Sequence, residues 1–254
     1  MTDKPIALLL TRPLAQSQRF VQALAQRGAH AFQPSAVQIC ISPLFEIIFQ
    51  GALPDITPYR SLIFTSSNAV RAFSRLAPDC VIPSFTVGQA TADTAVGFGL
   101  PAQMLGVDVQ DFAKALLVFG PETPCLHLRG DLIRRKLAPE LTQAGVTTDE
   151  AIVYRQNGVP LNSTARQILR GAAPVIIPLF SPRTAQRFRA EYAKAGGTAP
   201  IYVVALAPAI AAEMSDVNMA NLVVAEHPNA TAMENAINSV FETLMHLERR
   251  ARTP

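Results

Sequence analysis

Residues 62–73 read LIFTSSNAVRAF, and residues 177–188 read IPLFSPRTAQRF. Each stretch runs from apolar residues through Thr or Ser into a helical pattern that ends on Phe. Ser181 before Pro182 predicts a helix start, with Ser as N-cap and Pro at the first helical position, where its missing N–H costs nothing. A strand–hydroxyl–helix corner written twice predicts two copies of one unit. A shift of about 117 positions extends the match over four corners. LLLTRPLAQSQRFVQALAQRGAHAF at 8–32 faces CLHLRGDLIRRKLAPELTQAGVTTD at 125–149, matching Arg12 to Arg129, Leu24 to Leu141 and Gly28 to Gly145. The opening pair matches Ser66 to Ser181 and Phe73 to Phe188. FTVGQATADTA at 85–95 faces YVVALAPAIAA at 202–212, and LGVDVQDFAKAL at 105–116 faces LVVAEHPNATAMENAI at 222–237.

Short apolar runs alternate with amphipathic stretches along the chain. IALLL, SLIFT, FTVG, CLHLR, EAIVYR, PVIIPLF, IYVVAL and NLVVAE are predicted strands, and 13–28, 68–77, 131–144, 163–171, 183–195 and 231–247 are predicted helices. Runs apolar on both faces belong in parallel sheets covered by helices. The expected fold is α/β: two similar lobes with parallel sheets flanked by helices, joined by a two-stranded β connector. Residues 1–35 with 160–254 form one discontinuous lobe, 40–152 the second, and the connector strands fall at about 31–41 and 148–158. A crevice between such lobes is the expected ligand site.

Composition narrows the function. Across 254 residues, 22 Lys+Arg against 19 Asp+Glu leave a formal charge of +3, too little for a long nucleic-acid-binding face. Lys occurs only at 4, 114, 136 and 194, so Arg dominates the cations and offers forks for carboxylates or phosphates. Cys40, Cys80 and Cys125 are too few and too far apart for a disulfide framework or a zinc knuckle, which points to a reducing compartment. The four His show no metal-ligand spacing, and no metal is expected. The IALLL run after Lys4 is too short for a signal segment, and no apolar run reaches the ~20 residues of a membrane span. The expectation is a cytoplasmic monomer.

Thr65, Ser66, Ser67 and Asn68 in the first corner, and Ser181 in the second, stand where a strand ends and free helix N–H groups begin, a natural place for an anion. Arg12 and Arg129 repeat just past equivalent strands. There is no G-x-x-x-x-G-K-[ST], no G-x-G-x-x-G after a strand and no G-x-S-x-G elbow. These features describe a cofactor-free site that holds an anion with hydroxyls, backbone N–H groups and arginines.

In order and spacing, LLLTRP, LIFTSSNAV, VGQATA, LRGD, EAIVYRQ, LFSPRTAQRF and ALAPAIAAEM resemble the uroporphyrinogen-III synthase family over nearly the whole chain. The resemblance implies a cyclising lyase of heme biosynthesis that uses no cofactor. Its substrate is hydroxymethylbilane, a linear tetrapyrrole bearing carboxylates, supplied by the upstream hydroxymethylbilane synthase. Ring closure loses water and inverts the last pyrrole to give uroporphyrinogen III. Tyr154 matches the tyrosine that assists departure of the hydroxyl, a role open to a phenol of pKa about 10. Thr65, Ser66, Thr91 and Ser181 fall on the family's crevice-facing positions, and Gly88 on a glycine that lets a ligand near the backbone. Arg12, Arg129 and Arg155 are added from this chain alone as carboxylate partners. Where the family often has Gly-Pro-Thr-Thr, this chain has Ala207-Pro208-Ala209-Ile210, which leaves only backbone N–H groups at that corner, and the glycine-rich turn reads GVDVQDF.

Two other functions fit parts of the pattern. TSSNA at 65–69 is similar to the hydroxyl-rich loop of flavin-phosphate binding proteins, yet the chain has no Trp and no Tyr near that loop to sandwich a flavin ring. A non-catalytic two-lobed protein that binds an organic anion would use the same corners.

Overall fold

The computed structural model describes residues 6–26, 37–132 and 135–252, with side chains described as far as Leu247. The expected connector over 31–36, the end of the helix expected over 13–28 and the Gly28 match lie outside the described residues.

The chain divides into two compact units, Met1–Glu46 with Gly158–Pro254, and Ile47–Asn157. The first unit contains β1 (Ile6–Leu10), α1 (Leu14–Gln26), β2 (Val37–Ile41), α6 (Ser163–Leu169), β9 (Val175–Leu179), α7 (Pro182–Ala195), β10 (Ile201–Ala205), α8 (Pro208–Ala212), β11 (Asn221–Val224) and α9 (Ala230–Arg252). In the second lie β4 (Ser61–Phe64), α2 (Ser67–Leu76), β5 (Ser84–Val87), α3 (Gln89–Gly97), β6 (Ala102–Gly106), α4 (Val109–Phe119), β7 (Cys125–Gly130) and α5 (Leu137–Gln143). Two strands carry the chain across the division, β3 (Phe45–Phe49) and β8 (Thr148–Gly158), and they are neighbours at one edge of the second sheet.

The first sheet runs β11-β10-β9-β1-β2 and the second β3-β8-β7-β4-β5-β6. Under the 117-residue shift, β9, β10 and β11 are the copies of β4, β5 and β6, and β7 and β8 are the copies of β1 and β2. The two orders then coincide, with β3 added to the second. Each sheet therefore joins the opening strands of one sequence copy to the later strands of the other.

Two expectations need correcting. Val37–Ile41 is not a connector strand. It pairs in parallel along the whole of β1, with Cys40 and Leu44 buried in the first unit's core, so the first unit extends to Glu46 and β3 takes the place beside β8. The helix expected over 131–144 is shorter, because α5 begins only at Leu137. Pro139 then falls in its first turn; in a helix begun at 131 it would lack an interior N–H and clash with the preceding turn.

β1 shows why the apolar runs read as central strands. All five residues are buried: Ala7 and Leu9 pack with Phe188 of α7, whereas Ile6, Leu8 and Leu10 pack with Phe20 of α1 and Phe241 of α9. In the second unit Leu62 and Phe64 meet Phe73 of α2, while Ile63 meets Phe112 of α4. Each large side chain so buried contributes about 2 kcal/mol. Among the described residues no helix is long and apolar enough to cross a membrane.

Candidate functional site

In both sheets the connections reverse direction once, between β1 and β9 in the first and between β4 and β7 in the second. The strand pairings around both points are parallel, so strand carboxyl ends gather there, and such switch points are where α/β sheets bind ligands.

At the first switch point stand Arg12 and Ser181. Ser181 is the N-cap of α7: its Oγ accepts from the Thr184 N–H at 3.2 Å and lies 2.8 Å from Thr184 Oγ1. The Arg12 guanidinium lies over the Phe180 ring, 4.2 Å from its centroid, and its Nε donates to Gln16 Oε1 at 3.0 Å. Burial, with the nearby Arg19 charge, pulls the Arg12 pKa below its usual value. At the neighbouring corner Ala207 caps α8 with no side-chain bond, leaving backbone groups only.

The second switch point collects more of the expected residues. Ser66 caps α2, accepting from the Asn68 N–H at 3.2 Å, and Ser67 Oγ donates to the Ala90 carbonyl of α3 at 3.1 Å. That bond ties the Thr65–Asn68 corner to the one at Gly88. Gly88 has φ +73°, a conformation that favours glycine, and open space where a Cβ would stand. Its carbonyl accepts from the N–H of buried Thr91 at 3.1 Å.

Thr65 meets a residue that no motif identified. Its Oγ1 lies 3.3 Å from Nε2 of His127, buried in the middle of β7. Burial lowers the His127 pKa to about 4; Glu150 pulls it up and Arg129 pushes it down, and the ring is neutral near pH 7. The signal was present in CLHLR, where alternation puts His127 and Arg129 on one face of a core strand. Only the register of β7 with β8 adds Glu150, directly opposite His127.

Arg129 already has a carboxylate. Its Nη2 donates to Glu150 Oε1 at 2.5 Å and its Nη1 to the Gly130 carbonyl at 2.8 Å, while Nε is buried without a partner. The Arg129 hydrogen bond holds the Glu150 carboxyl below its usual pKa, although burial opposes it. Its fork is thus committed inside the unit. Arg155 is exposed on β8, and with the Gln50 amide oxygen turned toward it, its Nε and Nη2 donate to that oxygen at 2.8 and 2.9 Å.

Tyr154 owes its place to an irregularity. The β7–β8 register pairs Arg129 with Ile152 but Gly130 with Tyr154, leaving Val153 as an extra residue. Simple alternation would put Val153 and Tyr154 on opposite faces; instead both pack in the core that contains Phe64 and Phe73. The Tyr154 ring lies over Gly130, where a Cβ would come within 2.6–2.9 Å of its atoms.

The chain matches the family model described as uroporphyrinogen-III synthase HemD over residues 18–235. It is similar in structure to the uroporphyrinogen-III synthetase of Helicobacter pylori 26695, at 16% identity and a TM-score of 0.62, with 93% of this chain and 100% of that one covered. A mutant uroporphyrinogen III synthase from the extremely thermophilic bacterium Thermus thermophilus matches at 14% identity and a TM-score of 0.47, over 94% and 99% of the two chains. Among curated proteins none matches. The first likeness supports the fold. The family model spans most of the sequence, so the chain belongs to the uroporphyrinogen-III synthase family, the cyclising lyases of tetrapyrrole biosynthesis.

Proposed function

We propose that the chain closes hydroxymethylbilane to uroporphyrinogen III with Tyr154 as the group that assists loss of the terminal hydroxyl. The family match carries this reading. Tyr154 supports it independently, as a phenol packed against a glycine beside the switch point of its sheet. The pyrroles of the substrate stabilise the cation left when hydroxide departs, so a weak acid near the leaving oxygen suffices. Spontaneous closure gives the isomer with no inverted ring; the enzyme must therefore hold one conformation of a flexible chain.

The substrate carboxylates supply the handles. At the second switch point the donors are the Thr65, Ser66 and Thr91 hydroxyls and the first N–H of α2, at Ser67, while the N–H groups of Asn68, Gly88 and Thr91 are already donated to Ser66 Oγ and to the Gly106 and Gly88 carbonyls. At the first they are Ser181, the N-terminus of α7 and Arg12. A guanidinium already held over a ring and on a neutral amide loses little further freedom on meeting a carboxylate. Ser67, Arg129 and Arg155 act one step back, bracing these groups through Ala90, Glu150 and Gln50. We also propose that the protein works in the cytoplasm as a monomer and takes its substrate from hydroxymethylbilane synthase.

The test is to supply fresh hydroxymethylbilane, oxidise the products and separate the uroporphyrin isomers. Mainly isomer III is expected, formed faster than without protein. Isomer I alone, at the spontaneous rate, would sink the assignment.

A further inference from the structure

The repeat offers an internal control for the pair formed by Thr65 and His127. The 117-residue shift sets His127 opposite Leu10, and the corner match sets Thr65 opposite Phe180. In the first unit Leu10 and Phe180 pack in one apolar cluster. The same scaffold therefore accepts an apolar pair at these positions, and the second unit carries a polar pair in which both members differ from it. This pair is costly: His127 is 3% exposed and its Nδ1 is buried without a partner.

The unmet nitrogen determines the tautomer. A neutral imidazole has one N–H and one bare lone pair. With no acceptor in reach of Nδ1, a hydrogen there would be an orphaned buried donor, which folded proteins avoid more strictly than an unused lone pair. The hydrogen belongs on Nε2. The 3.3 Å separation agrees, being nearer the N–H···O range than the shorter one of O–H donors. Thr65 Oγ1 is then the acceptor, and its own hydrogen cannot point at the ring. Of the charged groups facing the imidazole, Glu150 on β8 and Arg129 on β7 are bound to each other.

We propose that His127 is a positioning residue: its Nε2–H donates to Thr65 Oγ1 and thereby commits the Thr65 hydroxyl hydrogen to an acceptor outside the protein core, a carboxylate of the substrate. The inference rests on the reading of Thr65 as a substrate donor and adds the direction of its hydrogen. The hydrogen on Nε2 is what makes the device selective for an acceptor. A hydroxyl free to rotate would meet donors as readily as acceptors.

The first test needs no activity. Long-range nitrogen–proton correlation spectra of the labelled protein, from about pH 5.5 to about 8, are expected to show a neutral His127 with its hydrogen on Nε2 throughout. The signal is assigned by its loss in His127→Gln. A neutral ring with its hydrogen on Nδ1 would overturn the proposal. Kinetics then test the consequence. His127→Leu, the residue of the sister unit, should raise KM about fivefold with little change in kcat, while His127→Gln, which retains a donor, should stay within about twofold. Thr65→Val should raise KM similarly, and adding His127→Leu to it should change KM by less than about twofold. Full multiplication of the two effects would show that His127 does not act through Thr65. An Nε2–H tautomer together with an unchanged KM in Thr65→Val would remove Thr65 from the substrate contacts, and the role of His127 with it.

Discussion

The corner after β4 and the corner after β9 are copies in sequence, yet what stands beside each is different. Both cap a helix with Ser, and both lie next to a strand with an Arg at or just past its end. Beside the β9 corner, Arg12 is held by a phenyl ring and a neutral amide. Beside the β4 corner, Arg129 is bound to Glu150, with a buried imidazole next to it. The β1–β2 register is regular, whereas β7–β8 shifts by one residue and turns Tyr154 against Gly130. Duplication supplied two equal scaffolds. On the proposed function, the first offers a cationic anchor, and the second a polar, internally braced wall that carries the candidate acid.

The largest effect should come from the feature that the first unit lacks. Tyr154→Phe keeps the ring against Gly130 and removes only the hydroxyl. Its kcat should fall about a thousandfold, with KM and the unfolding midpoint nearly unchanged. Gly130→Ala makes the complementary change, because its Cβ cannot coexist with the ring where it lies. It should cost about 2 kcal/mol of stability in urea titrations and lower kcat through displacement of the phenol. A fully active Tyr154→Phe would leave the phenol a packing residue and the comparison without its chemical half.

His127 predicts a difference in pH dependence between the units. In the folded protein its pKa is about 4, below the ordinary 6.5, because burial disfavours the charged ring. On acidification the unfolded chain takes up this proton first. The stability is therefore complete above about pH 6.5 and falls by about 3 kcal/mol as the pH drops toward 4. Glu150 works in a lower window. Its folded pKa is depressed chiefly by Arg129, so its contribution is present above the unfolded value and disappears below it. His127→Leu should flatten the decline between about pH 6.5 and 4 and leave the steeper one below it. Urea unfolding at a series of pH values reads both windows, and an unchanged slope in the variant would mean that another group carries it.

These differences between the units were only partly legible in the sequence. The duplication, the central strands and the hydroxyl corners were, because β1, β4 and β9 are buried on both faces and the caps are local chemistry. β2, with its mixed burial, was assigned to a connector: an edge strand carries half the hydrophobic signal of a central one. The Glu150–Arg129 pair depends on the β7–β8 register, and Tyr154 on a shift within it, and no local pattern encodes either. His127 was visible as a polar residue in an apolar run, but its partner lies 62 positions away, just past a strand adjacent only in the folded sheet.

The two arginines give a sharper contrast of intermediate size. Arg12→Gln should raise KM about tenfold with little loss of stability, since a single charge-assisted hydrogen bond to a carboxylate is worth about 1.5 kcal/mol. Arg129→Gln should act mainly on stability, because Glu150 would be left without its partner beside His127. The Arg129→Gln, Glu150→Gln double variant should regain part of that loss. Reversed roles, with Arg129→Gln weakening binding and Arg12→Gln weakening the fold, would exchange the anchor and the wall.

The smallest predicted effect tests whether the two caps are still equivalent. Ser66→Ala and Ser181→Ala each remove an oxygen that satisfies one helix N–H, and each should cost about 1 kcal/mol. The Ser181 hydroxyl also lies 2.8 Å from Thr184 Oγ1, so Thr184 can turn toward the vacated N-terminus and soften the loss. Ser66 Oγ instead accepts from the Asn68 N–H at 3.2 Å, and the adjacent Thr65 and Ser67 hydroxyls are engaged with His127 and the Ala90 carbonyl rather than with the helix start. Ser181→Ala should therefore be the milder of the two in thermal unfolding, and Ser66→Ala the one whose KM also rises. Ser66→Gly separates the two contributions: it restores most of the helix start without restoring a hydroxyl. If KM recovers along with stability in Ser66→Gly, the hydroxyl served the helix alone and the anion meets only the backbone. If stability recovers while KM stays high, the cap oxygen is shared between helix and substrate.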